Sequence, residues 1–187
     1  MIEDLVRKNR SCRRFYQNQK IKMETLKGFV NLGRLSASGA NLQPLKYILS
    51  CDEEKNAAIF SCLAWAGYLK DWAGPKKGER PTAYIIVLGD TKIAKDVGCD
   101  HGIASQSILL GVREAGLAGC MLASINKEKL RGALNIPEQY KIVLVLAIGK
   151  PKEKIVLDEV GADQNIKYYR DKGAVHHVPK RSLNDVI

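Results

Sequence analysis

Residues 141–149, KIVLVLAIG, carry the longest unbroken apolar pattern in the chain and read as its strongest strand. The run is rich in Val, Ile and Leu, the composition of a strand covered on both faces. TAYIIVLG, residues 82–89, repeats the pattern between Pro81 and Gly89. Shorter strand signals stand at KYILSC (46–51) and LAGCML (117–122). Between them the apolar period changes from two to that of a helix. Leu26, Phe29, Val30 and Gly33 predict a helix over about 23–36, and Ile59, Leu63 and Ala66 predict one over 53–70. Residues 96–116 predict a long helix, apolar on several sides and therefore buried either centrally or in a subunit interface, with a face of small residues at Ala104, Ser107, Gly111 and Ala115. Two more helices are expected at 2–9 and at 126–136, the latter stopping before Pro137. This order predicts an α+β fold, a central, mostly antiparallel sheet flanked by helices.

The length of 187 residues fits a single domain, with 45% hydrophobic and 27% charged residues, an ordinary globular balance. The net charge of +10 is less ordinary and favours anionic partners without choosing among them. The five cysteines show no C-x-x-C spacing and read as reduced thiols of a cytoplasmic protein. No apolar run reaches the length of a membrane span, and the acidic opening MIEDLVRKNR lacks a signal core, so neither membrane nor secretion is expected. Residues 151–187 are polar and charged and are expected to form an extended tail lying across another surface, that of a partner subunit.

No self-contained catalytic apparatus is visible. The histidines are His101, His176 and His177, without an H-E-x-x-H pattern, and the adjacent pair in the tail is expected to face solvent rather than a metal. There is no G-x-S-x-G elbow and no Walker spacing. If the chain is an enzyme, a bound cofactor carries its reaction. The segment RKNRSCRRF (7–15) places five cations between Arg7 and Arg14. Three readings stay open for it: a nucleic-acid contact, a solvated face, or a grip on one phosphate. Arg10, Ser11 and Arg13 would suit the last, since guanidinium groups match phosphate oxygens in pairs and an extended segment turns Ser11 and Arg13 the same way. With only 6% aromatic residues and cations spread through many helices, a nucleic-acid module is disfavoured.

Four segments, taken in order, resemble the nitroreductase family of FMN-dependent oxidoreductases. NRSCRRF (9–15) is similar to the family's opening R-x-S-x-R/K motif. LSASGANLQPLKYIL (35–49) resembles A-P-S-x-x-N-x-Q-P-W-x-F, with Ala37 in place of proline and Leu45 in place of tryptophan. EAGLAGCMLA (114–123) with LNIPEQYKIVLVLAIGKP (134–151) resembles the family's E-x-G-L-G-x-x-W and following stretch, and HHVPKRSLNDVI (176–187) resembles its closing P-K-R-x-L-x-E-x-I.

The resemblance implies an intertwined homodimer binding FMN, with NADH or NADPH donating hydride to flavin N5 and a nitroaromatic, quinone or similar electron-poor small molecule then taking it from the same pocket. It implies that Arg10 and Ser11 hold the phosphate and ribityl side, that Arg13 lies nearer the pyrimidine edge, and that Lys180 and Arg181 complete the phosphate grip. Ser38, Asn41 and Gln43 would reach the flavin from the other subunit, and the backbone at Gly119 and Cys120 would pass its redox edge. Trp65, Tyr68 and Trp72 could shape the substrate pocket, or form a core stripe at positions i, i+3 and i+7. No protein side chain is implied as a catalytic acid or base, and no metal. A dehalogenase-like or flavin-sensing relative is the alternative.

Overall fold

The computed structural model describes residues 1–162 and 164–187. Its centre is a four-stranded sheet made of β1 (Leu45–Ser50), β2 (Ala83–Asp90), β3 (Ala118–Leu122) and β4 (Tyr140–Gly149), in the order β1-β2-β4-β3 with every pair antiparallel. The two apolar runs are the two inner strands, and all eight residues of β2 are buried. Side chains alternate across β2: Ala83, Ile85 and Val87 join one core cluster, Tyr84, Ile86 and Leu88 the other. The β2–β4 register slips by one residue between Val87 and Leu88, opposite Leu144 and Ile142, leaving Val143 over as a bulge.

One face is covered by α2 (Met23–Arg34) and α4 (Asp100–Glu114), through Leu26, Phe29, Ile108, Leu109 and Val112. These two helices cross closely because small residues meet large ones. A Cβ on Gly111 would overlap Leu32 Cδ1, and one on Gly33 would stand 3.0 Å from Ile108 Cδ1. The other face carries α3 (Glu53–Phe60) and α5 (Lys127–Leu134). Both start at side-chain caps, Asp52 accepting from the Lys55 N–H at 2.8 Å and Asn126 from the Lys129 N–H at 3.0 Å. The N-terminal α1 (Ile2–Lys8) packs beside α4.

The helix expected over 53–70 ends at Phe60 instead. Leu63 forms a bridge to Ile125, and Ala66 adopts a left-handed backbone with φ of 44°, which a helix cannot contain. Trp65, Tyr68 and Trp72 therefore do not share a helix face. The tail has order of its own within this chain. β5 (Ile155–Glu159), β6 (Tyr169–Arg170) and β7 (His176–Lys180) form a three-stranded sheet in the order β5-β7-β6, with β5 and β7 parallel. Glu153, just ahead of this sheet, ties it to the N-terminal segment by accepting the Arg13 N–H at 2.8 Å and bonding Arg170 Nη2. No helix among the described residues is long and apolar enough to cross a membrane.

Candidate functional site

After α1 the chain runs extended from Arg10 to Phe15 along the end of β3, where the Cys12 N–H donates to the Gly119 carbonyl at 3.0 Å. Packing then sorts the five cations. Cys12 and Phe15 go inward, fully buried, while Arg14 clamps Glu79 through both oxygens at 2.7 and 2.9 Å. Arg7 and Lys8 pair within α1 with Glu3 and Asp4. Arg10 and Arg13 have no carboxylate against their guanidinium among the described residues, and both line one cavity of ≈ 330 Å³. Ser11, Gln106, Gly119, Tyr168, His176 and Lys180 also line it.

The opening motif and the closing motif, separated by most of the sequence, thus share one basin. β7 brings Lys180 to it, and β3 brings Gly119, where a Cβ would stand 2.6 Å from Leu109 Cδ2. Arg181 follows directly after β7 and is exposed. Cys120 is 2% exposed and belongs to the core cluster on the α3 side, because alternation along β3 turns it away from the cavity. Its thiol is pushed up by burial, as is that of Cys12, which reaches about 12. Neither is a poised nucleophile.

Ser38 and Gln43 lie at a different, smaller hollow of ≈ 150 Å³ with Asp100. Ser38 Oγ donates to Asp100 Oδ2, the Gly39 N–H donates to Asp100 Oδ1 at 2.9 Å, and the Gln43 N–H donates to Ser38 Oγ at 2.8 Å. Asn41 Oδ1 accepts from Gln43 Nε2 at 3.2 Å, and both side chains are exposed. Within one chain this segment does not reach the Arg10–Arg13 cavity.

The three aromatic candidates part company. Trp65 is a core residue, 7% exposed, 5.8 Å from the Phe60 ring. Trp72 lies under the Arg170 guanidinium at 4.7 Å. Tyr68 packs on Tyr168 at 4.9 Å, and Tyr168 in turn lies 4.7 Å from the Arg13 guanidinium on the cavity wall. The histidine pair does not face solvent as expected. His176 is fully buried, with Nε2 3.2 Å from Arg13 Nη1, and His177 Nδ1 is 2.8 Å from Asp158. Burial drives the His176 imidazole down to about 4, and Asp158 raises that of His177. The reason is what lies on each ring: Tyr168 at 5.3 Å and the Arg13 guanidinium cover His176, and Tyr169 stacks on His177 at 4.6 Å.

Glu79, Glu153, Tyr168 and His176 are organising residues that hydrophobic patterning does not reveal. The alternating YYR and HHVPK segments are the signal that could have exposed the last two. Among the described residues no three His, Cys, Asp or Glu side chains gather as a metal site, and all five cysteines are free. A larger cavity of ≈ 480 Å³ beside α3, lined by Lys20, Arg80 and Tyr84, contains none of the expected site residues.

The donor set fits a flavin mononucleotide. Two guanidinium groups free of carboxylates, a hydroxyl and an ammonium suit a phosphate and its ribityl chain, and the basin wall includes the side-chain-free backbone of Gly119.

Residues 6–150 match the nitroreductase family. A protein of Archaeoglobus fulgidus with the provisional name NADH dehydrogenase/NAD(P)H nitroreductase is 26% identical over 149 residues, covering 75% of this chain and 80% of the relative. An iodotyrosine deiodinase of Thermotoga neapolitana is 22% identical over 168 residues, covering 82% and 90%. A provisionally assigned nitroreductase of Exiguobacterium sibiricum, solved in complex with FMN, superposes with a TM-score of 0.68 at 19% identity, covering 82% and 89%.

Proposed function

The chain belongs to the nitroreductase family and is an oxidoreductase, and from that premise we propose an FMN-dependent enzyme that takes electrons from NADH or NADPH and delivers them to nitroaromatic, quinone or similar electron-poor acceptors. The observation that carries this reading is the meeting of Arg10, Ser11 and Arg13 with Lys180 around one basin. When bound, FMN supplies the two-electron redox chemistry that none of the side chains can perform. The protein's part is binding, orientation and electrostatics.

Arg10, Ser11 and Lys180, with Arg181 beyond, hold the phosphate and ribityl chain. Arg13 puts a fixed cation beside the pyrimidine edge, where it favours the anionic reduced form. Gly119 keeps the wall low, and Tyr168 with Tyr68 supplies an aromatic flank for the acceptor. Ser38, Asn41 and Gln43 serve the basin of a second subunit in a homodimer, with residues 151–187 lying partly across the partner. Exposed Leu35, Leu42 and Ile103 around that segment support a second copy there. The five free thiols support a cytoplasmic setting.

The likeness to a deiodinase favours one second reading, reductive dehalogenation in the same basin. Anaerobic titration tests both. The protein should bind FMN, lose flavin absorbance on adding NADH or NADPH, and regain it with a nitroaromatic or quinone. Recovery only with a halophenol moves the assignment to dehalogenation. Protein that takes up FMN but resists both nicotinamides is a flavin binder, and protein that takes up no flavin ends the proposal.

A further inference from the structure

Arg13 is held in an unusual way. Its guanidinium contacts no carboxylate among the described residues; Nη1 donates to the Ser11 carbonyl at 3.3 Å and points at His176 Nε2 at 3.2 Å. The Tyr168 ring lies beneath it, and its own backbone N–H is taken by Glu153. An arginine side chain carries donors only and stays protonated, so a nitrogen facing it must offer a lone pair. His176 is therefore neutral, with its proton on Nδ1. That nitrogen is buried with no partner among the described residues, so the hydrogen bond this ring makes is the one at Nε2. β7 fixes the ring from behind: the His176 N–H donates to the Lys154 carbonyl at 2.8 Å. The charged and titratable groups facing it are Arg13, Arg170, Glu153, His177 and the Tyr168 phenol.

We infer that His176 is a positioning residue: its neutral Nε2 accepts from Arg13 and aims that guanidinium into the basin, so that the flavin ring meets a pre-oriented cation. This rests on the flavin reading above. It goes beyond it by making a buried histidine of the tail the determinant of where the ring-side charge stands. Burial holds the imidazole neutral down to about pH 4, so the contact persists across ordinary pH and fails only in acid, when two cations would face each other.

The consequence separates His176 from the phosphate grip. A group acting through Arg13 on the ring should matter equally to FMN and to riboflavin, which lacks the phosphate. Fluorescence titration of both flavins with His176→Leu, His176→Gln, Arg13→Ala and the Arg13→Ala/His176→Leu pair tests it. Gln places an amide oxygen near the position of Nε2. Leu at 176 should weaken both flavins roughly tenfold, Gln should restore affinity to within about threefold, and Leu at 176 should add nothing once Arg13 is gone. Nitrogen-15 NMR of the unaltered protein at neutral pH should show His176 Nε2 unprotonated, a reading that needs no variant to fold. Unaltered flavin affinity in His176→Leu, a full loss persisting without Arg13, or a proton on Nε2 overturns the inference while leaving the flavin reading intact. Failure of the unaltered protein to bind either flavin overturns both.

Discussion

Replacing Glu79 with glutamine removes one charge and almost no volume, and the consequences can be worked out atom by atom. Glu79 is 4% exposed and receives Arg14 through both oxygens, at 2.9 and 2.7 Å, and Lys152 at 3.0 Å. Its own carbonyl accepts the Phe15 N–H at 3.0 Å, so one residue joins the N-terminal binding segment, the loop before β2 and the chain leaving β4. The paired cations hold its carboxyl down at about 2, Arg14 contributing most. Breaking a buried pair by deleting one partner costs about 3–5 kcal/mol. Arg14 and Lys152 keep 23% and 37% of their side-chain surface, so water recovers part of that, and the expected loss is about 2–3 kcal/mol. At this chain length the melting temperature should fall by roughly 5–10 °C. The pH dependence carries the sign. The carboxyl is depressed in the folded state, so its contribution is full above the ordinary carboxylate value near 4.5 and is lost as pH falls toward about 2. Urea unfolding of the two proteins should give curves that differ most at neutral pH and converge in acid. A gap under about 0.5 kcal/mol at pH 7, or one that ignores pH, would refute the assignment of this carboxylate as a charged staple.

Further predictions concern packing and thiols. Gly149→Ala puts a methyl 2.8 Å from the ring of fully buried Phe15 and should destabilise by about 1–3 kcal/mol in thermal unfolding, whereas Gly28→Ala, with nothing nearby, should be neutral or stabilising. Cys99 is exposed while Cys12, Cys62 and Cys120 are buried, so a thiol reagent at pH 8 should show one fast phase that Cys99→Ser abolishes and a slower one from half-buried Cys51; rapid labelling of Cys12 would contradict its thiol being near 12.

The sheet was legible because its inner strands are buried on both faces, which forces residues 82–89 and 141–149 to be apolar almost throughout. The α2–α4 crossing was legible in part: the small-residue face of 96–116 announces a close approach at Gly111, though not its partner Leu32. The segment 61–70 was misread because Ile59, Leu63 and Ala66 recur at helical spacing while Ala66 turns left-handed and Leu63 bridges to Ile125. Periodicity registers side chains and is blind to such backbone detours. Buried charge escaped for a related reason. Glu79 and Glu153 look like surface carboxylates until tertiary contact brings Arg14, Lys152 and Arg170 against them. The tail's order depends on these pairs and on short strand pairing, and its hydrophobic trace is confined to the short run Ile155, Val156 and Leu157 of β5. Motif order, by contrast, joined Arg10, Ser11 and Arg13 to Lys180 across the length of the chain, a juxtaposition that local patterning alone would not give.

The central claim is that both ends of the chain close on one phosphate, and a paired titration tests it most directly. Arg10→Ala and Lys180→Ala should each weaken FMN by roughly ten- to a hundredfold, the loss of a charge-assisted bond, while riboflavin affinity stays within about twofold of the unaltered protein and the fold is retained. Equal losses for the two flavins, or no loss of FMN affinity in either variant, would contradict the account.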